Sequence, residues 1–156
     1  MKKTAFVLMT ALGGLSAFSG SASAADGAQL YASHCAVCHQ SGAIGIPGQF
    51  PPLKGRVDKI IATPEGKTYV LHVVLNGMMG SLQAAGGTYT GFMPGLGSSL
   101  SDEDLAAVVT YVASLGGSAS APKITADDVK KARATPMQPN MVLQERGTLN
   151  AAHPLP

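Results

Sequence analysis

The chain has 156 residues, with eleven Lys and Arg against nine Asp and Glu and no tryptophan. It carries no basic tract, which sets nucleic acid aside as a partner. Its length suits one domain, yet only 5% of its residues are aromatic, so its own side chains are a poor filling for a core of that size.

The first residues read as an address. Lys2 and Lys3 form a charged n-region, Thr4 to Phe18 an apolar h-region, and Ala22-Ser23-Ala24 a small-residue cleavage site. Cleavage is expected after Ala24. The apolar run is interrupted by glycines and shorter than the ~20 residues of a spanning helix, so no transmembrane anchor is expected. Without Lys2 and Lys3 the basic and acidic residues balance at nine each. A Lys-Lys leader with an alanine-rich cut reads as bacterial, and the periplasm, an oxidising compartment, is the expected destination.

Asp26 is a good N-cap, with Gln29 at the capping-box position. The helix it opens carries Gly27 and Tyr31 on one face, four residues apart, where a glycine lets a second helix approach. The helix runs into Cys35-Ala36-Val37-Cys38-His39, which holds both cysteines of the chain. Cys-x-x-Cys-His is the attachment motif of haem c. Two intervening residues let one helical turn span the two vinyl positions of the porphyrin, and His39 follows beneath the ring as an iron ligand. Three other readings compete. A thioredoxin-like redox pair expects a βαβ setting, and no strand pattern surrounds Ala32 to Gln40. A zinc site wants four ligands, and only one Cys-x-x-Cys half exists. A disulfide between Cys35 and Cys38 closes too small a loop to stabilise much. A buried porphyrin also supplies the apolar volume that the composition lacks. His34 reads as a solvated surface residue.

From Gln40 to Gly55, glycines and prolines exclude regular structure and suit a stiff wall against a flat ligand. Leu53 is its apolar contact. A proline carbonyl can accept the second N–H of His39 and fix its tautomer; Pro51 is the candidate and Pro52 its rival. Val57 to Ala62 predicts a short helical turn with Ile60 and Ile61 inward. Thr63-Pro64 starts a helix that runs to Asn76 and stops at Gly77. Val70, Val73, Val74 and Gly77 share its apolar face, and His72 reads as a core or half-exposed histidine rather than an iron ligand. Gly77 to Gly97 reads as a pliable, glycine-rich loop over the ring. Met93 is placed to bind iron opposite His39, because Pro94 fixes the backbone beside it; Met78 and Met79 are the alternatives. Met/His ligation is an established haem arrangement that raises the reduction potential. Ser101 and Asp104 form a capping box for a helix whose stripe is Leu105, Val108, Val109, Val112 and Leu115, expected to cross the first helix near Gly27 and Tyr31. Beyond Gly117, a linker leads to a short helix from Thr125 to Ala134. Pro136 and Pro139 interrupt the rest, a small patch at Met141 to Leu143 precedes Arg146, and the end reads as disordered. The tail reads as a strap packed on the domain, with a docking arm as the other reading.

Together, the Gly27/Tyr31 helix, Cys35 to His39, Pro51-Pro52-Leu53, the Tyr89 to Pro94 loop and the Ser101 to Val112 helix resemble the small monohaem class I c-type cytochromes of bacteria. Stand-alone cytochromes and the haem domains that accompany periplasmic dehydrogenases are the nearest in pattern. The resemblance covers roughly Asp26 to Leu115. It implies an all-α fold, with helices packed around one covalent haem c, first and last core helices crossed, and little or no sheet. It implies Cys35 and Cys38 as thioether attachments, His39 as proximal ligand and Met93 as distal ligand. The expected division is a leader over 1–24, a haem domain over 25–117 and an extension over 118–156.

The function this implies is one-electron transfer in the periplasm with both axial positions filled, hence no catalytic residues and no enzyme activity. Redox proteins are the expected partners, a periplasmic dehydrogenase or a terminal oxidase among them. In a variant of that reading the chain is a fixed subunit docked by its tail. The alternatives are a haem enzyme or small-ligand sensor with an open distal site, and a zinc or thiol protein without haem.

Overall fold

The computed structural model describes residues 25–118 and 121–156; the leader expected over 1–24 lies outside the described residues. Helix α1 (Gly27–His34) begins where Asp26 leaves extended backbone and its carboxylate accepts the N–H groups of Ala28 and Gln29, at 2.9 and 3.3 Å. A break at Cys35 leads into the one-turn helix α2 (Ala36–His39). After an irregular loop come α3 (Val57–Ile60) and α4 (Pro64–Asn76). Thr63 caps α4 by accepting the Gly66 N–H at 3.1 Å, and Pro64 sits in the first turn, where its missing N–H costs nothing. Helix α5 (Asp102–Ser114) opens on a complete Ser101/Asp104 capping box.

Helix α1 packs on α5. A side chain at Gly27 would collide with the Ala107 carbonyl and stand 2.8 Å from Tyr111 Cβ, so only glycine permits the approach. Next to it the rings of Tyr31 and Tyr111 lie 5.7 Å apart, tilted by 51°. Tyr31 is buried and donates its hydroxyl to the Gln40 carbonyl at 2.7 Å. Burial first, then a Cys35 thiolate and Tyr111, push its pKa up to about 12, which keeps the hydroxyl a donor. Ile61, Leu71 and Leu105 are the largest fully buried side chains of this half of the core.

Two parts of the chain depart from the sequence reading. The expected all-α fold with a pliable loop at 77–97 is corrected by a two-stranded antiparallel sheet, β1 (Gly77–Ala84) with β2 (Gly87–Pro94). Its turn is Ala85-Gly86, at φ 49° and 75°. Positive φ at both central residues is the hairpin geometry that matches strand twist, reached here with alanine where asparagine or aspartate would have signalled it. Glycines at 77, 80, 86, 87 and 91 hide a strand alternation carried by Met78, Leu82, Tyr89 and Met93.

The tail is the second departure. Helix α6 (Ala126–Arg133), opened by a Thr125/Asp128 capping box, matches the expected short helix. Where a disordered end is expected, the chain forms α7 (Pro139–Ala152). Pro139 occupies its first turn rather than interrupting it. Helix α7 buries Val142 and Leu149 against α4 and β1, each worth about 1.5–3 kcal/mol at this depth. Leu143 fills the place of a side chain at Gly80. Polar contacts hold this arm to the rest: ion pairs of Lys67 with Asp128 at 3.4 Å and Arg133 with Asp102 at 2.7 Å, and a hydrogen bond from His72 Nδ1 to Glu145 at 2.9 Å. His72 is buried, and this pairing turns it away from any ligand role.

Candidate functional site

Helix α2 is too short to stand alone, so its shape comes from its connections. The His39 N–H donates to the Cys35 carbonyl at 2.9 Å, and the Gly45 N–H to the His39 carbonyl at 2.8 Å. The loop then folds back, with Leu53 and Lys54 N–H groups sharing the Ala43 carbonyl at 2.9 and 3.0 Å. That return brings the Pro51 carbonyl to the His39 ring, which donates through Nδ1 at 2.9 Å. A carbonyl can only accept, so the proton is on Nδ1 and Nε2 carries the free lone pair. Burial pushes the His39 pKa down, the Pro51 bond opposes this, and the Arg56 charge adds to the lowering. The ring is therefore neutral at neutral pH, the form that binds metal.

Two adjoining apolar spaces meet at this histidine, of about 860 and 990 Å³ with their open mouths included. They share His39, Pro51, Met78, Leu82 and Met93 in their walls. Cys35 and Leu53 open on the first with Val70, Val73, Val108 and Val112, and Cys38 opens on the second with Phe50, Tyr89 and Phe92. Both thiols are free. Burial, and then a Cys38 thiolate, push the Cys35 pKa up to about 11, the reverse of the lowered thiol of a dithiol redox catalyst. Among the described residues no group of three or more His, Cys, Asp and Glu gathers, so the zinc reading lacks a ligand set.

The hairpin supplies the opposite wall. Its register pairs Met78 with Met93 and Leu82 with Tyr89, and directly opposed residues share a face. All four line the cleft, while Met79 and Phe92, opposed to each other, are both exposed; Phe92 reaches the second space and Met79 lines neither. Met79 is thereby removed as a candidate ligand, whereas Met78 stands beside Met93. Met78 sulfur already receives the Tyr69 hydroxyl at 3.7 Å. Cys35, Cys38, His39, Pro51, Leu53 and Met93 thus gather around one cleft. His34 is exposed. Arg56, Tyr69 and Arg146 also line it; no motif marks them, and only the cavity reveals them.

Comparison with known proteins agrees with this geometry. Residues 22–112 match the family model described as cytochrome c oxidase, cbb3-type, subunit III. A cytochrome c-552 of Thermus thermophilus is 41% identical over 153 residues, 96% of this chain and 98% of that protein. The cytochrome c subunit of a quinone alcohol dehydrogenase from Gluconacetobacter polyoxogenes is 33% identical over 118 residues, which are 75% of this chain and 24% of that subunit. A cytochrome c6 of a Picosynechococcus strain is 34% identical over 119 residues, 72% of this chain and 93% of that protein. The chain belongs to the class I c-type cytochromes.

Haem c is the cofactor this family implies, and the residues present fit it. Cys35 opens on one space and Cys38 on the other, and the two spaces share His39 and Met93 in their walls, so both thiols and both kinds of donor would be within one flat group's surroundings. The donors that meet there are an imidazole nitrogen and thioether sulfurs, the soft and intermediate ligands suited to iron in a porphyrin. Among the described residues no helix is long and apolar enough to cross a membrane.

Proposed function

We propose that this protein is a one-electron carrier of the periplasm, delivered there by cleavage of its leader after Ala24. Cys35 and Cys38 hold a single haem c through thioethers, and His39 and Met93 are its axial ligands. The haem domain spans 25–117, with α1 and α5 crossing at Gly27, and residues 118–156 form an arm laid over it. When bound, haem iron supplies a couple between ferric and ferrous states whose potential the axial ligands and their surroundings set.

The observation that carries the reading is the Pro51–His39 contact facing Met93 across an apolar cleft. Pro51 fixes the imidazole tautomer and raises the basicity of Nε2. The valines of α4 and α5 exclude water from one side. Met93, held by the hairpin register, would close the other and leave the iron no open position for a substrate. Redox proteins are the partners, and the dehydrogenase subunit among the relatives makes a periplasmic dehydrogenase a candidate beside a terminal oxidase.

The test is an absorption spectrum of protein purified from the periplasm, oxidised and reduced, repeated with Met93→Ala and Met78→Ala. Covalent haem is expected, with the weak near-infrared band of sulfur-bound ferric haem lost in Met93→Ala and kept in Met78→Ala. Loss with Met78→Ala alone moves the distal role to Met78. Rapid carbon monoxide binding to the native ferrous protein overturns the closed site and makes the protein a haem enzyme or sensor.

A further inference from the structure

Two thioethers stand in the same wall of the cleft, and one buried hydroxyl treats them differently. Met78 and Met93 are directly opposed in the hairpin register, a pairing that sets their Cβ atoms about 5 Å apart. Both line the two spaces that meet at His39, and both are half-buried. Methionine is unbranched and adaptable, so position in the wall does not by itself separate the two sulfurs as donors. Tyr69 on α4 does separate them. It is only 4% exposed, and its hydroxyl stands 3.7 Å from the Met78 sulfur. Among the described residues no hydrogen bond reaches the Met93 sulfur.

The neighbours of Tyr69 fix the direction of that bond. Arg146 on α7 donates through Nη1 to the Tyr69 oxygen at 3.5 Å, and through Nη2 to the Gln83 carbonyl on β1 at 2.7 Å. A guanidinium can only donate, so the oxygen accepts there and the tyrosine's own proton is left for the sulfur. Burial pushes the Tyr69 pKa up, against the lowering by Arg146, which keeps that proton on the oxygen at neutral pH. Resting on the haem reading above, we propose that Tyr69 is a positioning residue that selects the distal ligand: its hydroxyl holds Met78 off the iron, Met93 alone binds, and Met78 is a second distal donor kept in reserve. A sulfur that accepts a proton from α4 is tied away from the metal, and Met93 carries no such tie. The C-terminal arm takes part in the choice, because Arg146 orients the hydroxyl while gripping the strand that bears Met78.

The experiment is the near-infrared spectrum of the ferric holoprotein for the native chain, Met93→Ala, Met93→Ala with Tyr69→Phe, and that pair with Met78→Ala added. The native protein shows the band of sulfur-bound iron, and Met93→Ala loses it because Tyr69 still holds Met78. Tyr69→Phe keeps the ring and removes the hydroxyl, so the double variant is expected to regain the band through Met78. Adding Met78→Ala is expected to abolish it again. A double variant that stays without the band overturns the proposal, and so does a regained band that survives Met78→Ala. Where the double variant does not accumulate, proton magnetic resonance of the native ferrous protein decides. A through-space contact between the Tyr69 ring and the Met78 methyl is expected, and its absence overturns the proposal. Absence of covalent haem from the native protein, or loss of the band in Met78→Ala alone, removes the haem reading or its Met93 ligand instead, and is seen without touching Tyr69.

Discussion

The two walls of the cleft are made in opposite ways. The wall behind His39 is local: Cys35 to Leu53 closes on itself through main-chain bonds at Cys35, His39, Ala43 and Pro51. The wall behind Met93 is assembled from distant parts, since β1 pairs with β2, β1 carries α7, and α7 is tied to α4. A wall held by backbone carbonyls tolerates changes of side chain. One held by register does not, because a slip of one residue turns Met93 outward and Phe92 inward.

The largest expected effect tests the second wall. Gly77 sits at φ 79° and ψ −178°, and a side chain there would collide with the Met93 carbonyl and stand 2.7 Å from Gly95 N. That backbone region is essentially glycine's alone. Gly77→Ala should cost about 3 kcal/mol or more by strain plus overpacking, read from denaturant unfolding, and should weaken the sulfur-to-iron band. Met93→Leu and Met78→Leu keep volume and should each cost under about 1.5 kcal/mol, with the band lost in the first and kept in the second. Equal spectral loss in both would mean the register does not distinguish the two sulfurs.

Smaller effects bear on what anchors each wall. Asp128 closes the Thr125 capping box and pairs with Lys67. The Thr125 backbone bond first, helped by the Thr125 hydroxyl and Lys67 and opposed by burial, holds its carboxyl below the ordinary 3.8. A depressed carboxyl stabilises the fold above its unfolded value and ceases to as pH falls through its folded value. Asp128→Asn should therefore cost about 1 kcal/mol at neutral pH, with the difference from native fading only as pH falls below the ordinary 3.8 and through the lower folded value. Pro51→Ala keeps the carbonyl that His39 uses and should cost only about 0.5 kcal/mol, with His39 still bound to iron by spectroscopy. A large loss would break the contrast between the walls.

The same division explains what could be read from the chain. Asp26, Thr63, Ser101 and Thr125 announce helices because a cap is decided within three residues, and each heads one here. The Cys35 to His39 motif and Pro51 are legible for the same reason. The hairpin is not, because its turn residues are Ala85-Gly86 and its glycines lower strand propensity. Pairing with α7 supplies what local preference lacks. The Pro139 breaker signal failed because a proline in the first turn starts a helix as readily as it ends one. Arg56 and Arg146 are ninety positions apart and look like ordinary surface cations until the cavity brings them together.

The seat of Leu143 on Gly80 has a consequence for the order in which the molecule is completed. A two-stranded hairpin is marginal in water by itself, and this one is backed by a helix that begins at Pro139. As the chain emerges from its N-terminal end, the His39 wall has all its parts once Leu53 is out. The Met93 wall has its strands by Pro94 but lacks its backing until some fifty further residues have followed. Between those moments one side of the cleft is formed while the other remains free to open, an interval in which a large flat ligand can enter sideways before the last helix shuts the door.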